Sequence, residues 1–410
     1  MYDLRLSPEQ LEIRDTVRDF VAQEVKPPAL DPARLEAQTR PLLTGALDKA
    51  AQLGLRTLAL SEDAGGAGAD HLTCCIVTEE LAVGDPDIAA VLAQTSTLAH
   101  ALFDRLMTPQ QRECFLPAFL ADDRYHLALA QHEPGRDTAL GIDYHRAETS
   151  DRSCKTTALR ADDGWVINGR KERVANAPIA KLFVVEVNTG TGSGAGMLLV
   201  PSDTPGLRVT ESGHGVRWQH GACGDVELTD CRVPLDNLLG AEAQGLLAVD
   251  ARRIAQDAAL NLGIGRAAYE AALDYAQLRV QGGRRIIEHQ AIGTKLAEIA
   301  IRLEVARAGI WQAAWACDHP DAVADRSLPD LPLASIAQAF ASEAIYRATK
   351  DAAECFGAMG VMRDMPLQQY VHDALVCLHS GAGNSEAKLR IAEALAGYRR
   401  PAPSAALAAE

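Results

Sequence analysis

The residues best suited to acid or base chemistry in this sequence are His372 and His379, which border the turn Ser380-Gly381-Ala382-Gly383. An imidazole changes charge near neutral pH, so either histidine could give or take a proton, although a surface or core histidine is the simpler interpretation. The turn itself is different, because neither Gly381 nor Ala382 can accept a proton. Residues that can exchange a proton therefore flank this turn, but the turn itself contains none.

The composition limits the classes of protein that this chain can form. Its 410 residues are 48% hydrophobic and 23% charged, which predicts a folded protein of two or three domains with a large core. The net charge of −15 argues against non-specific binding to nucleic acid or to an anionic membrane. No segment approaches the roughly 18 apolar residues of a membrane span, and the first residues lack the apolar run of a signal peptide. We expect a cytoplasmic protein.

The nine cysteines show no CxxC spacing, and the adjacent Cys74 and Cys75 lie inside an apolar run. An odd number of thiols without metal-ligand spacing is typical of reduced, buried cysteines in a cytosolic protein. We therefore expect neither a disulfide framework nor a metal site.

Hydrophobic patterning predicts an α+β protein that is mainly α. The predicted parts are an N-terminal helical domain over 1–124, a middle β domain over 125–241, a C-terminal four-helix bundle over 242–398 and a flexible tail over 399–410. Ser7 and Pro8 have the residue types of a helix cap and a first helical residue. Short β-rich runs predict strands at Gly164–Gly169, Leu182–Val187 and Met197–Val200. Ala/Leu patterns predict the bundle helices at 253–280, 290–317, 332–358 and 368–397.

Several local motifs occur in a fixed order along the chain. They are Leu53-Gly-Leu, Ser61-Glu-Asp-Ala-Gly-Gly-Ala-Gly-Ala-Asp70, Glu79-Glu80-Leu-Ala, His132-Glu133-Pro134-Gly135, Gly164-Trp-Val-Ile-Asn168-Gly169-Arg-Lys171, Val233-Pro234, Tyr275-Ala-Gln-Leu-Arg279-Val-Gln281-Gly-Gly283, Gln290-Ala-Ile-Gly-Thr-Lys-Leu-Ala297 and Phe356-Gly357-Ala-Met-Gly360. Each motif is weak alone. In order and spacing together they resemble the acyl-CoA dehydrogenase superfamily over nearly the whole chain.

The resemblance implies a tetramer that binds FAD at an interface, with the flavin ring against the β domain and the adenosine end against a neighbouring subunit's bundle. The substrate would be a CoA thioester, or the related thioester of a carrier protein. Its α-proton would leave to a carboxylate while the β-hydride passes to flavin N5.

The catalytic carboxylate is where this chain departs from the family pattern. The family's base is the first Glu of a Glu-Gly-Thr-Ser-Glu turn, and its position here is held by Gly381 or Ala382. Some relatives place the Glu on the first bundle helix instead, where Arg252 or Arg253 stands. Asp257, about one turn away, is a candidate for a relocated base, or else a polar helix residue.

Positions that the resemblance assigns to the flavin are altered on both sides of the site. In the β domain His132 replaces a Thr, Arg173 replaces an aromatic residue, and Ala175 replaces a Thr or Ser. In the bundle Arg279, Gln290 and Gly357 match the family, whereas Gly282 replaces a Phe and Glu354 replaces a Gln. A carboxylate at Glu354 would face a dinucleotide phosphate unfavourably if it kept the Gln's position.

Three interpretations of the sequence remain. The first is an acyl-CoA dehydrogenase-like subunit of a hetero-oligomer, in which a related partner supplies the base and an intact flavin site. The second is an FAD enzyme of the same fold with different chemistry, such as a desulfinase-like elimination or a monooxygenase reaction. The third is a flavin-free binding or scaffolding protein without catalysis.

Overall fold

The computed structural model describes residues 5–36, 40–134, 154–190, 195–211, 219–243, 251–319, 328, 331–379 and 383–396. Within these residues a helical segment is followed by a β segment and a second helical segment, which confirms the predicted α+β class.

The N-terminal segment is helical, and several of its helices begin at residues whose side chains cap the first turn. Its helices are α1 Pro8–Phe20, α2 Lys26–Ala29, α3 Pro32–Glu36, α4 Thr44–Gln52, α5 His71–Gly84, α6 Pro86–Ala99 and α7 Pro109–Ala121. At the start of α1 the Gln10 N–H donates to the Ser7 side chain and the Ser7 N–H donates to the Gln10 side chain, so the predicted cap is present. Asp85 caps α6 in a similar way, accepting from the N–H groups of Asp87 and Ile88.

The middle segment forms a seven-stranded sheet in the order β1-β4-β2-β3-β7-β6, with β5 paired to β4. The strands are β1 His126–Ala130, β2 Thr157–Arg160, β3 Trp165–Ala175, β4 Ala180–Asn188, β5 Ala195–Pro201, β6 Leu207–Glu211 and β7 Cys223–Val233. Strand β4 is parallel to β1 and antiparallel to β5. Since successive side chains point to opposite faces, Leu182 and Phe183 enter two different cores.

The C-terminal segment contains long helices separated by a short hairpin. The helices are α8 Ala251–Leu278, α9 Gln290–Asp318, α10 Leu333–Cys355, α11 Leu367–His379 and α12 Asn384–Leu395. The hairpin, β8 Val280–Gln281 and β9 Arg284–Arg285, lies between α8 and α9. The predicted run at 368–397 is therefore two helices rather than one, and the second of them begins after Gly383.

Three cores hold the segments together. One joins the N-terminal helices to α8, α9 and α10. A second packs α6 and α7 on β1, β4 and β5, and the third covers the opposite face of the sheet. Cys74 and Cys75 are buried in the first core, as predicted, whereas Cys114 is exposed. No helix within the described ranges is long and apolar enough to cross a membrane.

Candidate functional site

The β-domain residues assigned to the flavin lie in the segment after β1 and at the C-terminal end of β3. The Glu172 N–H donates to the His132 carbonyl at 2.9 Å, which ties the segment after β1 to β3. Arg173 has a φ of +53°, a left-handed conformation that is uncommon for a residue with a side chain. Its N–H donates to Asp225 Oδ1 at 3.0 Å, which satisfies the turned backbone. His132 and Arg173 are both exposed, and Ala175 pairs with Cys223 in the sheet.

A buried ion pair lies behind this surface. Lys171 Nζ is 2.7 Å from Glu133 Oε1, and the two side chains are 0% and 1% exposed. Glu133 also accepts from the N–H groups of Lys155 and Thr156 and from Thr156 Oγ1, and Cys154 Sγ lies 3.1 Å away. The sequence contained both charged residues within motifs, but they are 38 positions apart and nothing local indicated their pairing.

The environment of Glu133 keeps it ionised. Burial alone would raise the pKa of Glu133, but hydrogen bonds from Lys171, Thr156 and the Lys155 N–H together hold that pKa well below its ordinary value. Burial raises the pKa of the neighbouring Cys154 thiol to about 11, so this thiol is protonated and does not act as a nucleophile. Because Lys171 lies in β3, this ion pair anchors Glu133, and with it the adjacent His132, to that strand.

The bundle residues assigned to the dinucleotide lie at exposed positions after the end of α8, at the start of α9 and around the end of α10. We refer to them as the polar surface of the bundle. Arg279, Gln290 and Gly357 are all exposed. Gly282 has a φ of +62°, so the phenylalanine expected there from the family would be strained in this hairpin.

Glu354 is paired with a lysine. Its carboxylate is hydrogen-bonded to Lys295 on the facing helix α9. That hydrogen bond and the lysine's charge lower the pKa of Glu354. Because the charge is compensated, this carboxylate does not present an isolated negative charge to a ligand.

Asp257 is the carboxylate that the sequence offers as a relocated base. Its side chain is 43% exposed and lies 3.8 Å from Arg253 Nε. Desolvation by the surrounding protein nevertheless raises the pKa of Asp257, against the opposing charges of Arg253 and His220.

The two arginines that the sequence left as alternatives point in different directions. Arg253 lies beside Asp257, whereas Arg252 contacts Asp318 at 3.3 Å and His100 Nε2 at 3.0 Å. Since His100 Nδ1 lies 2.8 Å from the Asp104 carboxylate, His100 donates there and accepts from Arg252. Sequence reasoning missed this His100 cluster, because Arg252 and Asp318 lie far from His100 along the chain.

The two histidine candidates for proton transfer lie on α11. His379 is the last residue of α11 and is exposed, and His372 is exposed with Nδ1 3.9 Å from Asp373 Oδ1. Gly381 and Ala382 lie outside the described residues, so the predicted position of the missing base is not described here.

The fold is that of an α+β protein with a helical domain, a β domain and a helical bundle. Exposed polar residues lie on the β domain and on the bundle. Three family models match the chain: the acyl-CoA dehydrogenase N-terminal domain over residues 7–123, its middle domain over 146–231 and its C-terminal domain over 248–396. The chain therefore belongs to the acyl-CoA dehydrogenase family, whose members are flavoprotein oxidoreductases.

Particular relatives match along nearly the full length. The probable acyl-CoA dehydrogenase YngJ of Bacillus subtilis is 31% identical, over 94% of this chain and 97% of the relative. The benzylmalonyl-CoA dehydrogenase of Aromatoleum aromaticum is 31% identical, over 95% and 99%. The structure of butyryl-CoA dehydrogenase from Megasphaera elsdenii superimposes with a TM-score of 0.81 at 24% identity and covers 96% of this chain and 100% of that one. This last likeness concerns the fold.

Proposed function

We propose that this chain is a flavoprotein subunit of the acyl-CoA dehydrogenase type that acts on a CoA or carrier-protein thioester, with a related partner subunit supplying the catalytic base. The observation that carries the proposal is the contrast between two parts of the chain. The turn Ser380-Gly381-Ala382-Gly383 contains no carboxylate. The buried Glu133–Lys171 pair and the exposed polar residues of the bundle are nevertheless present.

The polar surface of the bundle is chemically suited to FAD. The side chains of Arg279 and Gln290 provide N–H donors of the kind that bind phosphate oxygens, and Lys295 compensates the charge of Glu354. On the β domain, His132 and Arg173 would lie beside the ring system and Ala175 would leave room for it. FAD, when bound, supplies the hydride acceptor for oxidation of the thioester.

A separate subunit is proposed because removal of a positioned base costs on the order of 10²–10⁴ in rate. A partner that carries the usual Glu would restore this loss within a hetero-oligomer, most simply a tetramer of related chains. A cytoplasmic setting agrees with nine reduced thiols.

Asp257 supports a second candidate, in which this chain supplies its own base. A carboxylate with a raised pKa is a stronger base than an ordinary carboxylate. Against this, Arg253 lies beside it and favours the ionised, less basic form.

The test is the visible absorption spectrum of the protein purified alone and after coexpression with a complete family member, with flavin quantified per subunit. The proposal expects flavin binding, and thioester oxidation only in the mixed oligomer. Oxidation by the chain alone that disappears in Asp257→Asn would support the second candidate. Flavin without thioester oxidation in either sample would favour a desulfinase-like or monooxygenase reaction. A colourless, inactive protein in both samples would favour the scaffolding interpretation.

A further inference from the structure

A buried charged cluster lies where the three segments of the fold meet. His220 precedes β7, Asp87 lies in the first turn of α6, and Asp373 lies on α11. Their side chains are 4%, 1% and 2% exposed, so water does not screen their charges effectively. We refer to His220, Asp87 and Asp373 as the domain junction.

The contacts of His220 define where its protons are needed. Its Nε2 lies 3.1 Å from the Asp373 carbonyl, and because a carbonyl only accepts, Nε2 carries a proton. Its Nδ1 lies 3.6 Å from Asp87 Oδ1, which also accepts from the Gly221 N–H at 3.0 Å. An unprotonated Nδ1 would direct a lone pair at this carboxylate, whereas a protonated Nδ1 is attracted to it.

Two arginines lie beside the same group of carboxylates. Arg34 lies 2.7 Å from Asp85, and Arg40 lies 2.8 Å from Asp373. Arg40 also attracts Asp87 electrostatically. An imidazolium at His220 adds a cation directly beside Asp87, where burial leaves little water to screen the attraction.

We propose that His220 is a positioning residue that remains an imidazolium at neutral pH and fixes α11 against the β domain and α6. Helix α11 ends at His379, directly before the turn 380–383. His220 acts through the backbone of this helix and not on a reacting atom. The inference concerns how the domains are held together, and it does not depend on flavin or on the proposed reaction.

Every packed element contributes titratable or charged groups to the surroundings of His220. They are Asp85 and Asp87 from the start of α6, Arg34 and Arg40 from the N-terminal segment, His372, Asp373 and Cys377 from α11, and Arg253 and Asp257 from α8. Burial alone would lower the pKa of His220, but Cys377, Asp87 and Asp373 raise it well above the ordinary value of 6.5.

The sign of the pH dependence follows from this raised pKa. The imidazolium contributes its full stabilisation below the unfolded-state pKa of 6.5, and the contribution is lost as the pH rises from there through the folded-state pKa. Between the unfolded-state and folded-state pKa values, the factor by which the imidazolium disfavours local opening of α11 falls by about tenfold per pH unit.

The experiment is hydrogen exchange of the peptide 367–379 in the full chain, comparing His220→Gln with wild type at matched pH between 7 and 9. A glutamine keeps a donor for the Asp373 carbonyl but cannot carry charge. We expect exchange at pH 7 to be at least about tenfold faster in the variant, with the ratio to wild type falling steadily towards pH 9. In an Asp87→Asn background the His220→Gln effect should largely disappear.

The matched control is His126→Gln. His126 is also buried, but burial lowers its pKa to about 4, so it is neutral throughout this range and its variant should show a ratio independent of pH. If the ratio for His220→Gln is also constant between pH 7 and 9, or if exchange at pH 7 equals wild type, His220 is not a charged positioning residue and the proposal is wrong.

Discussion

Replacing Lys171 with methionine should destabilise the β domain strongly, because it leaves Glu133 buried without its cation. Methionine fills a similar volume and forms no ion pair. In wild type the two side chains are 0% and 1% exposed, with Nζ and Oε1 2.7 Å apart. Removal of one partner from a buried pair costs about 3–5 kcal/mol.

The magnitude should lie at the lower end of that range, about 3 kcal/mol, because Glu133 keeps other donors. The Lys155 N–H, the Thr156 N–H and Thr156 Oγ1 remain within 2.7, 2.9 and 2.6 Å. The pH dependence has a definite sign. Since the pKa of Glu133 is lowered in the folded protein, its stabilisation is present above about 4.5 and is lost as the pH falls through the folded-state value. The penalty of Lys171→Met should therefore be larger at pH 7 than at pH 4.

The assay is a double-mutant cycle of Lys171→Met and Glu133→Gln, measured by denaturant unfolding at pH 7. In the double variant neither side chain is charged, so no uncompensated charge is buried. We therefore expect a coupling free energy of about 2–3 kcal/mol between Lys171 and Glu133. The matched control is the exposed pair of Lys49 and Glu24, whose side chains are 53% and 41% exposed. Exposed pairs of this kind couple by about 0.2–1 kcal/mol. A coupling for the buried pair no larger than that of the control would refute the argument that burial makes this pair important.

Three further predictions concern packing, cofactor and base. Gly263→Ala should cost about 1–3 kcal/mol in unfolding measurements, because the new Cβ would lie 2.4 Å from the backbone of α5. Gly309→Ala, whose Cβ would meet nothing closer than 3.9 Å, should instead stabilise by about 0.5–1 kcal/mol, and the reverse order would contradict the packing described here. If the polar bundle surface binds FAD, Lys295→Ala should weaken binding by about tenfold in a flavin titration, whereas Glu354→Gln should not weaken it. With the base on a partner subunit, Asp257→Asn should change thioester turnover by less than about tenfold. A loss of about 10²–10⁴ would place the base in this chain.

Short-range patterns in the sequence determined the order of the elements and the family. A capping residue such as Ser7 and the periods of apolar residues act over a few positions, so they can be recognised without knowing the fold. The same local signal placed the bundle helices, except that a continuous pattern over 368–397 concealed two helices. The sequence alone also established that the turn 380–383 contains no carboxylate, since this is a statement about residue types.

Only the tertiary structure decided how distant charges are combined. Glu354 is compensated by Lys295, 59 positions away, and Glu133 by Lys171, 38 positions away. His220 meets Asp87 and Asp373 from two other segments of the fold. The free energy of a buried charge depends on which opposite charge packs against it and on how much water remains. Both are set by the packing of helices on the sheet, which no local pattern of residue types specifies.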